Sequence, residues 1–470
     1  MKTFTHLFLT FVLGICFFLQ ASLADVRLPS IFSSHMVLQQ KSEVKIWGWA
    51  NPRENVKVVA SWAEKDTVSV ETSGYAKWTL NIHTPQAGGP YILYIMGQNT
   101  ITLEDVMVGE VWVASGQSNM QWSVNNKIDQ GEEEVANANW PDIRFFHVPK
   151  STAETPQENI EGTWVRCTPE SMRSFSAVAY FYGRKLHQEL KVPVGLVHAS
   201  WGGTPAEVWM EAEEVNEDPD LRLAAETRKE SKGWPALPGV AYHAMIAPIT
   251  DFRIAGVIWY QGESNTHDAI GYRKLFPKLI QNWRELWSLD LPFYFVQIAP
   301  FKYGDDNVNG ALVRESQLLS FRNTKKTGIV VVSDIGNTEN IHPTNKQDVG
   351  ARLGNWALAN TYGKQGVSYS GPLYREMKVE KNKIRVSFDF AENGLLVKGK
   401  TLTHFEIAGE DRKFYPARAK IEGSTIVVSA KAVKNPLAVR MGFYNTAEPN
   451  LFNQEGLPAS SFRTDDWEIK

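Results

Sequence analysis

The stretch Val108-Gly109-Glu110-Val111-Trp112-Val113-Ala114-Ser115-Gly116-Gln117-Ser118-Asn119-Met120 decides the fold. Its first seven residues are mostly apolar with no polar alternation, which is how a strand covered on both faces of a parallel sheet reads. Ser115-Gly116-Gln117-Ser118 then ends the strand in small and polar residues. Four further runs share this character: Val194–Ala199, Ile254–Tyr260, Phe293–Ile298 and Ile329–Ser333. Between or after them lie Ala177–Leu190, Tyr272–Trp287, Leu312–Phe321 and Lys346–Ala359, each with apolar residues three and four apart, so each predicts a helix. From Val106 to about Gly363 the pattern predicts an α/β domain with a doubly wound parallel sheet.

The flanks read differently. From Asp25 to about Leu103, short runs such as Val44-Lys45-Ile46-Trp47-Gly48-Trp49 and Val56-Lys57-Val58-Val59 alternate with period two between Gly and Pro. That predicts a small antiparallel β-sandwich. After Gly371 the alternation returns in Ile384-Arg385-Val386-Ser387-Phe388 and Thr425-Ile426-Val427-Val428, so a second antiparallel β unit closes the chain. The expected organisation is a leader over 1–24, a β domain over 25–105, a catalytic α/β domain over 106–365 and a β domain over 366–470.

The 470 residues hold 49 Lys and Arg against 52 Asp and Glu, with no basic block, which argues against nucleic acid or an anionic membrane as the main partner. Sixteen tryptophans are many, and half-exposed indoles can stack on flat apolar faces of sugars. Lys2, the apolar run Leu7–Leu19 and Ser22-Leu23-Ala24 have the layout of an export signal cleaved after Ala24, too short to anchor in a bilayer. Once this leader leaves, Cys167 is the sole cysteine, so no disulfide framework exists. An exported, periplasmic or secreted protein without membrane insertion is expected.

In an open parallel sheet, reactive groups gather beyond the carboxyl ends of the strands. Here those ends carry Ser118, Ser200-Trp201-Gly202-Gly203-Thr204, Gln261-Gly262-Glu263-Ser264-Asn265, and Asp334 followed by Glu339-Asn340-Ile341-His342. A serine hydroxyl needs a base within reach, so Ser118 and His342 pair as candidate nucleophile and base. Glu339 could hold the imidazole tautomer. The Ser118 N–H and a backbone N–H of Gly202 or Gly203 are candidate oxyanion donors, with a side-chain amide of Gln261 or Asn265 as a third. No His-x-x-x-His pair or His/Asp cluster has metal spacing, so neither a metal nor another cofactor is expected. The same residues also admit a glycosidase using Glu207 and Glu263, or a non-catalytic glycan-binding protein with a vestigial site.

Three motifs carry a resemblance: Gly109 through Met120, Trp259-Tyr260-Gln261-Gly262-Glu263-Ser264-Asn265 and Ile341-His342-Pro343-Thr344-Asn345-Lys346-Gln347. With Gly202-Gly203-Thr204-Pro205-Ala206-Glu207-Val208-Trp209 and Asn450-Leu451-Phe452-Asn453, they resemble the sialate O-acetylesterase family, a branch of the SGNH hydrolases that includes carbohydrate acetylesterases. The resemblance implies an SGNH-hydrolase-like core with flanking β units, and a metal-independent serine esterase that removes O-acetyl groups from sugars through an acetyl-serine intermediate. Ser118 is then the nucleophile and His342 the base. The superfamily's Gly-x-Asn-Asp block is Gly262-Glu263-Ser264-Asn265 here, which leaves Gln261 and Asn265 both open for the amide role. Its Asp-x-x-His is Glu339-x-x-His342, so the acid is Glu339, Asp334 or absent, and His243 stands where the family commonly has Asn.

An O-acetylated sugar or glycan is the expected partner. Trp201, Gln117 and Glu263 are candidate substrate contacts, and Trp122 and Trp209 further candidate aromatic platforms. A sialate carboxylate would call for a cation, for which Arg173, Arg184, Arg314 and Arg352 are candidates; acetylated xylan or another plant glycan would call for the aromatic surface.

Overall fold

A computed structural model of the chain describes residues 25–229, 231–304 and 307–469. The expected leader over 1–24 lies outside the described residues.

Seven strands form the central sheet: β1 (Thr100–Gly116), β2 (Trp140–His147), β3 (Trp164–Cys167), β4 (Val194–Ser200), β5 (Gly256–Tyr260), β6 (Phe293–Val296) and β7 (Thr327–Val330). They run in the order β7-β6-β5-β1-β4-β2-β3. All neighbours are parallel except β2 and β3. The central strand β1 has β4 on one side and β5 on the other. The later chain therefore departs from β1 in both directions, which opens a crevice at its carboxyl end.

The helices on this sheet include α1 (Ser118–Gln121), α2 (Ala177–Leu190), α3 (Tyr272–Leu286), α4 (Asn309–Asn323) and α5 (Lys346–Asn360). Alternation along β6 shows how both faces are covered. Phe293 and Phe295 meet Phe276 of α3, while Tyr294 between them meets Trp112 and Trp356 of α5. Each aromatic side chain removes a large apolar area from water, at about 25 cal/mol per Å². This is the doubly wound arrangement expected from the sequence.

The sequence pattern passes over β2 and β3. In Trp140-Pro141-Asp142-Ile143-Arg144-Phe145-Phe146-His147 a proline, an aspartate and an arginine interrupt the apolar run, and β3 is a four-residue edge strand. Arg144 is buried all the same, because Asp105 accepts from its guanidinium. Strand β1 also starts earlier than expected. Its first half pairs with Gly88–Met96 and Val37–Gln39, so it belongs to the N-terminal unit as well, and residues 105 and 106 fall inside a continuous strand.

In the N-terminal unit Glu43–Trp49 pairs antiparallel with Lys77–His83 as a second layer. The C-terminal strands form two four-stranded antiparallel sheets and one two-stranded sheet around their own core, which includes Ile384, Ile407, Val428 and Val439. Among the described residues no helix is long and apolar enough to cross a membrane.

Candidate active site

Gly116 makes the turn from β1 to α1. Its φ is +134°, and a Cβ there would lie 2.2 Å from the Tyr260 carbonyl oxygen, so only glycine fits. The next residue locks the turn, the Gln117 N–H donating to Tyr260 O at 3.0 Å. Ser118 thereby starts α1 beyond the carboxyl end of β1, where unpaired helix N–H groups supply positive potential.

His342 approaches from the loop between β7 and α5. Its Nε2 lies 2.9 Å from Ser118 Oγ. The imidazole stacks on Trp122, with ring centroids 4.5 Å apart and planes 23° apart. Burial pushes the His342 imidazole down to about 4, and the neighbouring Lys346 charge pushes in the same direction. At neutral pH the ring is therefore uncharged and can accept a proton from Ser118.

The structure does not bring a carboxylate to this imidazole. Glu339 is exposed, and Asn337 Oδ1 accepts from the N–H groups of both Glu339 and Asn340, a turn in which no bond joins Glu339 to His342. Asp334 is occupied by a two-pronged pair with Arg352, both bonds 2.8 Å. Among the described residues no carboxylate bonds His342.

The expected oxyanion donors separate in a similar way. The Gly202 N–H already donates to Gln121 Oε1 at 2.7 Å. Gln261 Nε2 donates to Asn265 Oδ1 at 2.7 Å, Asn265 Nδ2 donates to Glu207 Oε2 at 3.0 Å, and the Tyr272 hydroxyl donates to Gln261 Oε1 at 2.9 Å. Both amides are buried and bonded into this lattice. The N–H groups of Ser118 and Gly203 keep no hydrogen-bond partner among the described residues.

Of the expected substrate contacts, Trp201 is half-buried, its Nε1 donating to Gly233 O at 3.1 Å. Lys150 Nζ lies 5.9 Å from the Trp201 ring. Gln117 is buried and its Oε1 accepts from the N–H groups of Gly262 and Ser264, both at 3.3 Å. Glu263 is no surface contact: it is buried and accepts from Asn119 Nδ2 at 2.6 Å. Trp209 is no platform either, being fully buried with its Nε1 donating to the Thr204 hydroxyl at 2.9 Å.

Sequence reasoning missed Trp234, which is 41% exposed and packs so closely on Gly203 that a Cβ there would lie 2.2 Å from its ring. It sits in an exposed, polar loop with no periodic signal. Beside it is a cavity of about 210 Å³ lined by Thr152, Trp234, Leu237 and Val240.

The four arginines that are candidates for a sialate carboxylate are all engaged. Arg173 pairs with Glu132, Arg184 with Glu134 and Arg352 with Asp334, while Arg314 is buried and donates to Tyr444 O at 2.7 Å. Glu207 is also committed, to Arg228 at 3.0 Å. With Glu207 and Glu263 both buried, neither carboxylate is free to flank a glycosidic bond. His243 Nδ1 donates to the Ala153 carbonyl at 3.0 Å. A second serine–histidine pair, Ser200 Oγ and His198 Nε2 at 2.5 Å, is buried and closed to substrate.

An open α/β sheet with a serine–histidine pair at the crevice beside its central strand is the architecture of an SGNH-type ester hydrolase. A family model for sialic acid-specific acetylesterases, a carbohydrate esterase family, matches residues 108–362. The sialate O-acetylesterase of Homo sapiens is 30% identical over 393 residues, covering 75% of this chain and 74% of that protein. That of Mus musculus is 28% identical over 433 residues, covering 79% and 78%. The crystal structure of a carbohydrate acetylesterase from Xanthomonas citri superposes with a TM-score of 0.86 at 37% identity, covering 94% of this chain and 100% of that one. The chain therefore belongs to the sialic acid-specific acetylesterase family, and is an esterase hydrolase acting in the carbohydrate esterase class.

Proposed function

We propose that this chain hydrolyses acetyl esters on sugars through Ser118 and His342, and that the observation carrying this reading is their 2.9 Å contact at the crevice. Ser118 Oγ bonds to the acetyl carbon as its proton passes to His342 Nε2. The carbonyl electrons move to oxygen, where the N–H groups of Ser118 and Gly203 are placed to receive the charge. Collapse breaks the bond to the sugar oxygen, which takes the proton from His342 and leaves. Water then adds to the acetyl-serine with His342 as base, and acetate departs as Ser118 regains its proton. The pair works as a dyad, with the imidazole stacked on Trp122.

Trp201 and Trp234 offer apolar faces for a sugar ring. Lys150 beside Trp201 is the cation placed for an acidic sugar, which favours an acetylated sialic acid over neutral xylan. The leader expected over 1–24 places this activity outside the cytoplasm, in the periplasm or the medium.

The test is acetate release by residues 25–470 from 9-O-acetyl sialic acid and from acetylated xylan, each with Ser118→Ala and His342→Ala. Release from the sialic acid that vanishes in both variants is expected. Release untouched by either substitution would overturn the site, and release from xylan alone would overturn the substrate.

A further inference from the structure

Directly beneath the Ser118–His342 pair lies a buried chain of three polar side chains to which the hydrolytic steps above assign no part. Asn119 is 0% exposed, Lys346 1% and Glu263 5%. Asn119 Nδ2 donates to Glu263 Oε1 at 2.6 Å and to the Ile341 carbonyl at 3.0 Å. Asn119 Oδ1 accepts from Lys346 Nζ at 2.6 Å. Asn119 directly follows Ser118 in the chain, and Ile341 directly precedes His342. One side-chain amide thus ties the backbone beside the hydroxyl to the backbone beside the imidazole.

The two charges decide which way that amide points. Turned over, its NH2 would face the Lys346 ammonium and its oxygen the Glu263 carboxylate, two unfavourable contacts in a medium that screens poorly. The orientation present is the one that offers an N–H to Ile341 O. Stability alone does not account for the arrangement. Buried charges cost more to desolvate than apolar groups of similar size, and Glu263 Oε2 has no hydrogen-bond partner among the described residues. Lys346 also opens α5, where a cation opposes the helix dipole.

We propose that Asn119, held in one orientation by Glu263 and Lys346, is a positioning residue that keeps His342 against Ser118 in place of the carboxylate of a triad. This rests on the reading of Ser118 and His342 as the reacting pair. It touches no reacting atom, so its loss acts on the rate of turnover and spares the binding of ester.

The test is steady-state hydrolysis of 4-nitrophenyl acetate by Asn119→Ala, beside wild type and Ser118→Ala. Expected is a fall in kcat of about 100-fold with KM within about twofold, as for reacting groups displaced by about 1 Å. A folded Asn119→Ala with kcat within about twofold of wild type would overturn the proposal, since the reacting geometry would then owe nothing to the amide. So would equal damage to KM and kcat, the mark of general disorder in the site. If Asn119→Ala fails to fold, the double variant Glu263→Gln/Lys346→Met keeps the volumes and removes both charges. Its kcat should fall about tenfold at unchanged KM, and full activity would overturn the proposal. Ser118→Ala separates the two levels: if it still turns over, the reading of the site fails, and if it is inactive while Asn119→Ala is not, only the positioning role fails.

Discussion

A histidine base without a carboxylate partner should work at lower pH than one in a triad. A triad carboxylate stabilises the imidazolium and raises its pKa, whereas His342 meets burial and the Lys346 charge, which together put it at about 4. The sign follows from the neutral form being the active one: a lowered pKa leaves more of the base available as pH falls. At pH 5, an imidazole of ordinary pKa about 6.5 is only about 3% neutral, while one at about 4 is about 90% neutral, a ratio of about 30. The acid limb of kcat/KM should therefore lie near pH 4, and activity at pH 5 should stay close to its plateau. Lys346→Met removes one of the two causes and should move the limb upward towards the ordinary histidine range. The assay is kcat/KM on an acetylated sugar, by acetate release, from pH 3.5 to 8 at constant ionic strength, limited to the range where melting shows the fold intact. An acid limb between pH 6 and 7 in the wild-type enzyme would refute the reasoning, because it would require an anion beside His342.

Other perturbations separate the parts of the account. Glu339→Ala should leave kcat within about twofold of wild type, since the side chain is exposed and apart from His342; a large loss would restore the triad reading. Gly116→Ala should lower the melting temperature by several degrees or more and abolish activity, because it combines a φ of +134° with a 2.2 Å approach to Tyr260 O; a wild-type melting curve would show that the turn can relax. Trp201→Ala and Trp234→Ala should each raise KM on a sugar ester while leaving hydrolysis of 4-nitrophenyl acetate within about threefold, and equal losses on both substrates would remove these rings from sugar recognition.

The legible and illegible parts of this chain divide on physical grounds. Mostly apolar runs made β1 and β4–β6 readable, and the helical period gave α2 to within its end residues, because burial on a face leaves a periodic mark. Strand β2 left none, since Arg144 is buried only by virtue of Asp105, a partner 39 positions away. Ser118 and His342 could be found because both follow strand ends, and their contact is the sum of those two placements. The acid at Glu339 could not be judged from its spacing: the turn that carries it outward is set by Asn337 Oδ1, and spacing to a histidine says nothing of loop direction. Gln261 and Asn265 looked like free donors because a sequence shows an amide and hides its partners. The Asn119 network was hidden for the same reason, although a lysine opening α5 is an unfavourable choice that hints at a buried partner.

The central claim is that Ser118 carries the acetyl group between the sugar and water. Rapid quenching of the enzyme during turnover of an acetylated sugar, followed by peptide mass spectrometry, tests it most directly. The account predicts one added acetyl group on the peptide containing Ser118, present in wild type and absent in Ser118→Ala. Steady turnover with no acetyl on that peptide, or with the acetyl on another residue, would contradict it.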